Sequence, residues 1–319
     1  MREIIVTKAD DGKRVDRWLK AAAPSLPGGL IQKYIRLKRI KRNGKAAKAD
    51  EHIAVGDMMS LYIEDEFFHQ PEKKDKLLSS FRANVSIVYE DEHILLADKR
   101  PGLIAHPDEN EKVNTLLTHI RAYLYQKGEG SANGGFMPVL VNRIDRFTGG
   151  IVICAKTEEA MRVLSDKIRL REIEKQYLCL AEGKLNPESG SLDGFIVNPE
   201  GKGRVKALKE FVPGAKKART LYRTVSYDGK NSLVECTLIT GRTHQIRAQF
   251  ASVGHPLAGD RAYGARPDGD MHYQALYSYK LTFRFQTDAG ALAYLNGKSF
   301  QVNCVPFAGK MYDAKIKKQ

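Results

Sequence analysis

Apolar residues recur at helical spacing in two short segments near the start of the chain. Val15, Trp18 and Leu19 share one face, and Leu30, Ile31, Tyr34, Ile35 and Leu37 form a second apolar set. The polar run from Arg39 to Lys45 follows, with Asn43-Gly44 as a tight-turn signal between short strands. Val55, Gly56-Asp57 and the alternating run from Met58 to Ile63 then predict a further strand. Residues 1–63 therefore read as a small α/β domain of two helices and a small twisted sheet. Residues 64–80 are charge-dense and aperiodic, and read as a linker.

From Phe81 to Ala308 the pattern alternates between periods of two and 3.6. Ile87-Val88 and Ile94–Ala97 read as strands, with a turn over Lys99–Gly102. Gly128–Gly135 reads as a flexible surface loop. A strand leads into Asn142–Arg146, Gly149-Gly150 signals a turn, and the unbroken apolar run Ile151–Ala155 predicts a buried strand. Thr157 is the expected cap of a helix with Glu158 and Glu159 in its first turn and a stripe of Ala160, Met161, Val163, Leu164 and Ile168. Later, Leu233–Thr240 alternates as a strand and Gly241 turns. Thr243 is the expected cap of a helix burying Ile246, Phe250 and Val253, ended by Gly254. Residues 309–319 read as a polar, basic tail that is expected to be mobile.

Composition narrows the choice of partner. With 42% hydrophobic and 28% charged residues over 319 positions, the chain is neither disordered throughout nor fibrous. The 52 Lys and Arg against 38 Asp and Glu leave a net charge of +14, which favours a polyanion, nucleic acid before an acidic membrane surface. Between Lys33 and Lys48 stand eight Lys or Arg and no acid. A solvated helix face would explain part of this run, but one sign of charge crossing from helix into turn fits a patch neutralised by a polyanion. The four cysteines, Cys154, Cys179, Cys236 and Cys304, lack metal or disulfide spacing and read as reduced core thiols. No stretch is apolar enough for a secretory or membrane segment, so a cytoplasmic location is expected.

The chemistry concentrates around Asn142-Arg143-Ile144-Asp145-Arg146. One carboxylate between two guanidinium groups suits an ionised Asp facing an anionic substrate, and suits a salt-bridge cluster fixing the loop equally well. His244 and Arg247, three residues apart at a predicted helix start, would form a cationic wall.

Two resemblances bear on these alternatives. KRVDRWLK, IQKYIRLKRIKRNGK and VGDMMSLYI, in that order, resemble the alpha-L RNA-binding domain. The resemblance implies phosphate contacts from Lys33, Arg36, Lys38, Arg39, Lys41 and Arg42. NRIDRFTGG, the Lys175-Gln176-Tyr177 segment and the stretch from Leu238 to Gly264 resemble, in order, three motifs of the RluA-type pseudouridine synthases. That resemblance implies an α+β fold: a mostly antiparallel curved sheet with flanking helices over 81–308, beside the small domain. It makes Asp145 the catalytic nucleophile, sets Tyr177 against the target base and pairs Arg247 with Asp145. Arg143, Arg242 and His244 become substrate-binding residues, with Arg143 filling the space left by a flipped uridine; a hydrogen-bonded structural histidine is the competing reading of His244. It implies isomerisation of uridine to pseudouridine in RNA, 23S ribosomal RNA being the expected substrate, by a monomer needing no metal or other cofactor. Asn142 and Gly149 depart from the family's usual His and Ser. Whether Asp145 attacks the sugar, adds to the base or removes the C2′ proton stays open. The alternative is a non-catalytic RNA- or ribosome-binding factor that keeps the fold; a hydrolase of N-glycosidic bonds is a weaker one.

Overall fold

A computed structural model describes residues 2–24, 26, 28–68, 77–129, 136–199, 203–267 and 271–309. The expected loop at 130–135 and tail at 310–319 lie outside the described residues, as does most of the expected linker. The chain divides into two compact units, the first ending at Phe81 and the second starting at Arg82.

In the first unit, α1 (Val15–Ala22) and α2 (Gly28–Arg36) share a core with a four-stranded antiparallel sheet. The strands are β1 (Arg2–Ile5), β2 (Ile40–Arg42), β3 (Lys45–Ala46) and β4 (Met58–Leu61), in the order β1-β4-β2-β3. Asn43 and Gly44 both take positive φ, the geometry of a two-residue hairpin turn. Val15, Trp18, Leu19, Ile31, Tyr34 and Ile35 are buried as expected. Leu37 is exposed, because α2 ends at Arg36 and Lys38 turns the chain with positive φ.

The second unit is built on one eleven-stranded sheet. Its strands are β5 (Ser86–Glu90), β6 (Ile94–Lys99), β7 (Val139–Leu140), β8 (Gly149–Ala155), β9 (Ile173–Glu182), β10 (Ser189–Val197), β11 (Lys206–Leu208), β12 (Lys216–Tyr227), β13 (Asn231–Leu238), β14 (Leu276–Phe283) and β15 (Ser299–Gln301). The main path runs β11-β10-β12-β13-β9-β14-β8-β6-β5, with β7 on β8 and β15 on β14. The pairing of β14 with β8 is parallel and the others are antiparallel. Helices α3 (Leu116–Gln126), α4 (Glu158–Arg169) and α5 (Gln245–Ser252) cover the faces.

Strand β8 shows why its run is apolar throughout. Ile151 and Ile153 pack with Ala160 and Leu164 of α4, whereas Val152 and Cys154 pack with Leu116, Ile120 and Leu124 of α3. A strand buried on both faces has no polar side to alternate. Thr157 Oγ1 accepts the Ala160 N–H at 3.1 Å, capping α4 as expected.

Three local expectations fail. Gly149 and Gly150 are strand residues, and the turn falls at Arg146-Phe147. A Cβ on Gly149 would sit 2.2 Å from the Tyr277 ring, and one on Gly150 equally close to the Ser278 carbonyl, so the parallel β8–β14 contact demands both glycines. Val253 is exposed past the end of α5. Cys304 is exposed, unlike the other three cysteines. Among the described residues no helix is long and apolar enough to cross a membrane.

Candidate active site

Asp145 sits on the loop that joins β7 to β8. Antiparallel pairing of Leu140 with Cys154 fixes the base of this loop, and the Ile153 N–H donates to Asn142 Oδ1 at 2.7 Å. Thr148 N–H donates to the Asp145 carbonyl at 3.1 Å, closing the turn. The Arg146 carbonyl accepts from Gly102 N–H at 2.9 Å and from Lys99 Nζ at 2.9 Å. Lys99 Nζ also donates to the carbonyls of Leu103 (2.8 Å) and Arg100 (3.2 Å). Three acceptors match the three protons of an ammonium. Burial pulls the Lys99 pKa down to about 7, with the Asp145 charge acting in the opposite direction. The backbone on both sides of Asp145 is therefore fixed before any substrate arrives.

The two flanking arginines do not hold the carboxylate. Arg146 Nε donates to the Gly102 carbonyl at 3.1 Å, and Arg143 is exposed on the cleft wall. Among the described residues, the basic side chains within 4.0 Å of Asp145 are His244 and Arg247. Arg247 Nη1 lies 3.1 Å from Asp145 Oδ2, from a position 102 residues later in sequence. Its other edge meets buried Asp260 in a two-pronged pair, Nε to Oδ2 at 2.7 Å and Nη2 to Oδ1 at 2.9 Å. Burial works against the Arg247 charge, but the hydrogen bonds and charge of Asp260 more than offset it and raise its pKa. The guanidinium also lies over the Tyr263 ring, 4.9 Å from the centroid.

His244 carries the second contact. It is the N-cap of α5 in the left-handed conformation (φ 51°), and Thr243 does not cap as expected. The Tyr263 hydroxyl accepts the Val205 N–H at 3.1 Å and lies within hydrogen-bond distance of His244 Nδ1, at 3.0 Å. Nε2 of the same ring lies 3.6 Å from Asp145 Oδ2. Burial lowers the His244 pKa, and the Asp145 charge opposes this.

Two buried glutamines seat the start of α5. Gln245 accepts from Arg242 N–H (3.0 Å) and the Thr240 hydroxyl (2.8 Å), and donates to the Arg219 carbonyl (3.1 Å) and Thr220 Oγ1 (2.9 Å). Gln249 accepts from the Thr220 hydroxyl at 2.6 Å and donates to the Leu192 carbonyl at 2.8 Å. Arg242 Nε is anchored on the Lys217 carbonyl at 3.0 Å.

These elements enclose a cleft of about 270 Å³, lined by Asp145, Arg143, Arg242 and His244 on its polar side. Tyr177 and Lys175 enter from β9, with Ile144, Leu238 and Leu276 as the apolar wall. Burial raises the Tyr177 pKa to about 12, so its phenol is neutral at working pH. The cleft thus offers an aromatic wall, one half-open carboxylate (side chain 27% exposed) and cations graded from buried to exposed. An aromatic wall, a carboxylate and several cations in one cleft suit a planar ring carried on an anionic chain.

The structure brings together Asp145, Arg247, Tyr177, Arg143, Arg242 and His244. Lys33, Arg36, Lys38, Arg39, Lys41 and Arg42 belong to the first unit. There Lys33, Arg36, Lys38 and Arg39 are exposed, with Arg39 3.4 Å from Glu64. Arg42 is held by Asp57 (2.6 Å) and Glu51 (2.9 Å). Sequence reasoning gave no role to Lys99, Asp260, Tyr263 or the glutamines of α5. Asp260 and Tyr263 lie in the motif-bearing stretch from Leu238 to Gly264, so a cation at 247 needing a buried counter-charge was the available signal.

Comparison with known proteins agrees with this geometry. The family model described as RNA pseudouridylate synthase matches residues 93–252. Ribosomal large subunit pseudouridine synthase D of Nitrosomonas europaea is 30% identical over 282 residues, covering 85% of this chain and 76% of that protein. The uncharacterized RNA pseudouridine synthase YlyB of Bacillus subtilis is 29% identical over 299 residues, covering 89% and 90%. Among solved structures, human RNA pseudouridylate synthase domain containing 4 shares the fold, with a TM-score of 0.57 at 18% identity over 76% of this chain and 96% of that one. The chain belongs to the RNA pseudouridylate synthase family, and is an isomerase that converts uridine to pseudouridine in RNA.

Proposed function

We propose that Asp145 is the nucleophile of this synthase and that its substrate is large-subunit ribosomal RNA. The observation that carries the first part is the Asp145–Arg247–Asp260 chain of charges at the cleft floor. Asp260 is 2% exposed and fully engaged by Arg247, so Asp145 is left as the carboxylate that can reach a substrate. A glycosidase-like cleavage with acid assistance would want two free carboxylates. A single one suits attack on ribose C1′ as a base leaves with its own delocalised negative charge.

In this reading the target uridine leaves its stack and its ring rests on Tyr177, a contact typically worth about 1–3 kcal/mol. Arg143, exposed at the rim, takes the vacated place in the RNA. Arg247 and His244 hold the carboxylate in position, while neutral Tyr177 supplies surface rather than acid or base catalysis. The first unit contributes phosphate contacts from Lys33, Arg36, Lys38, Arg39 and Lys41, which give affinity with little sequence choice. Arg42 adds charge to that surface but is already paired.

The ribosomal assignment rests on relatives named ribosomal large subunit pseudouridine synthase D, from Nitrosomonas europaea and Borreliella burgdorferi. Carbodiimide mapping of total RNA from a strain lacking this chain tests it. A pseudouridine stop should vanish from large-subunit RNA, return with the parental chain and stay absent with Asp145→Ala. Restoration by Asp145→Ala would remove Asp145 as nucleophile, and a missing stop only in another RNA would overturn the ribosomal assignment.

A further inference from the structure

Lys175 lies two residues before Tyr177 on β9, and both line the cleft. Alternate strand residues share a face, about 6.6 Å apart along the strand. Leu238, directly opposite Lys175 on β13, lines the cleft as well, which fixes the side of the sheet to which Lys175 belongs. The other cations near the cleft are anchored or face outward: Arg247 on Asp145 and Asp260, Arg242 on the Lys217 carbonyl, Arg143 exposed. Among the described residues the Lys175 ammonium has no hydrogen-bond or ionic partner. Burial lowers its pKa, and no acidic side chain is near enough to offset that effect. A partly buried cation without a counter-ion is unfavourable in the free enzyme, and is most strongly satisfied by an anion that forms inside the cleft.

We propose that Lys175 is the cation that stabilises the uracil ring as it departs and while it turns. This rests on the reading of Asp145 as nucleophile. When the N1–C1′ bond breaks, its electron pair stays on N1 and a carboxylate oxygen of Asp145 bonds to C1′. The resulting uracil anion spreads its charge over N1, O2, O4 and C5. After the ring turns, C5 bonds to C1′ and the pair of the ester bond returns to Asp145. The C5 proton is released and N1 takes one up, so the isomerisation is neutral overall. Throughout the turn the negative edge changes while the ring stays near Tyr177. A compact ammonium with three rotatable N–H groups can follow either oxygen, whereas a planar guanidinium fork is matched to one orientation.

The test uses RNA of the mapped region, transcribed with uridine or with 5-fluorouridine, whose fluorine already stabilises the ring anion. The rate on both is read as loss of the starting nucleoside after digestion, because C5 of 5-fluorouridine has no proton to release and the ring stops once C5 has bonded to C1′. Parental chain, Lys175→Met, Lys175→Arg and Asp145→Ala are compared under single turnover, with RNA binding measured in parallel. Lys175→Met should lose about 10²-fold in rate on uridine RNA, with RNA affinity within about threefold of the parent. On 5-fluorouridine RNA its deficit should shrink by about tenfold. Lys175→Arg, which keeps the charge, should recover part of the rate. A parental rate for Lys175→Met overturns the proposal, as does an equal deficit on both RNAs, the mark of a structural role. If Lys175→Met does not fold, the same two-RNA comparison on Lys175→Arg decides. Asp145→Ala should be inactive on both RNAs. Activity there would defeat the nucleophile reading itself, whereas an inactive Asp145→Ala beside a fully active Lys175→Met defeats only the role of Lys175.

Discussion

On α2 and the turn after it, Lys33, Arg36 and Lys38 stand in water, and Lys41 on the next strand lies 5.0 Å above the Tyr62 ring. Around Asp145 the basic side chains are withdrawn: Arg247 is buried between two carboxylates, and His244 is wedged against Tyr263. Exposed cations are screened by salt and act together at range, so they suit attraction of a long polyanion. Buried cations act on one atom at a fixed distance in a medium that screens weakly, so they suit control of a single carboxylate. Positive side chains therefore suit two different jobs, and burial decides which.

The contrast gives predictions of decreasing size. Asp260→Ala should cost about 3–5 kcal/mol in denaturant unfolding of the second unit, because it leaves Arg247 buried with half its charge partners. A change no larger than that of a surface substitution would mean that Arg247 is not organised by burial. Replacing Lys33, Arg36, Lys38 and Lys41 by Gln should leave unfolding unchanged and weaken RNA binding. The slope of log affinity against log salt should fall by about 0.7–0.9 for each phosphate no longer neutralised. An unaltered slope would remove the first unit from the RNA-binding surface.

The smallest effect is in pH. His244 has a folded pKa below its ordinary 6.5. As pH falls below 6.5 the unfolded chain takes up a proton that the folded chain refuses, so His244 contributes stability above that pH and loses it below. His244→Asn should flatten this acid-side decline in thermal midpoint. An unchanged decline would place its cause elsewhere.

Legibility followed the range of the interaction. The apolar run of β8, the Asn43-Gly44 turn and the Thr157 cap are local consequences of period and backbone preference, and were readable directly. The setting of Asp145 was not. Arg143 and Arg146 are its neighbours in sequence, but the loop that packs Lys99 and Gly102 against the Arg146 backbone turns the Arg146 side chain away. The guanidinium that holds the carboxylate comes from α5 and is itself aimed by Asp260. Such a chain of charges exists only after the sheet has formed. Motif resemblance pointed to Arg247, whereas spacing alone favoured the wrong arginines. Gly149-Gly150 misled for a similar reason, since a pair that signals a turn locally is required here by the Tyr277 ring on the neighbouring strand.

The most direct test of the central claim is Asp145→Asn, nearly isosteric and still able to accept from Arg247. It is assayed under single turnover on RNA from a strain lacking this chain, with the thermal midpoint measured on the same protein. The charge-chain account predicts a loss of at least about 10³-fold in pseudouridine formation, with a folded protein and RNA binding retained. Pseudouridine formation at the parental rate by that folded variant would contradict it.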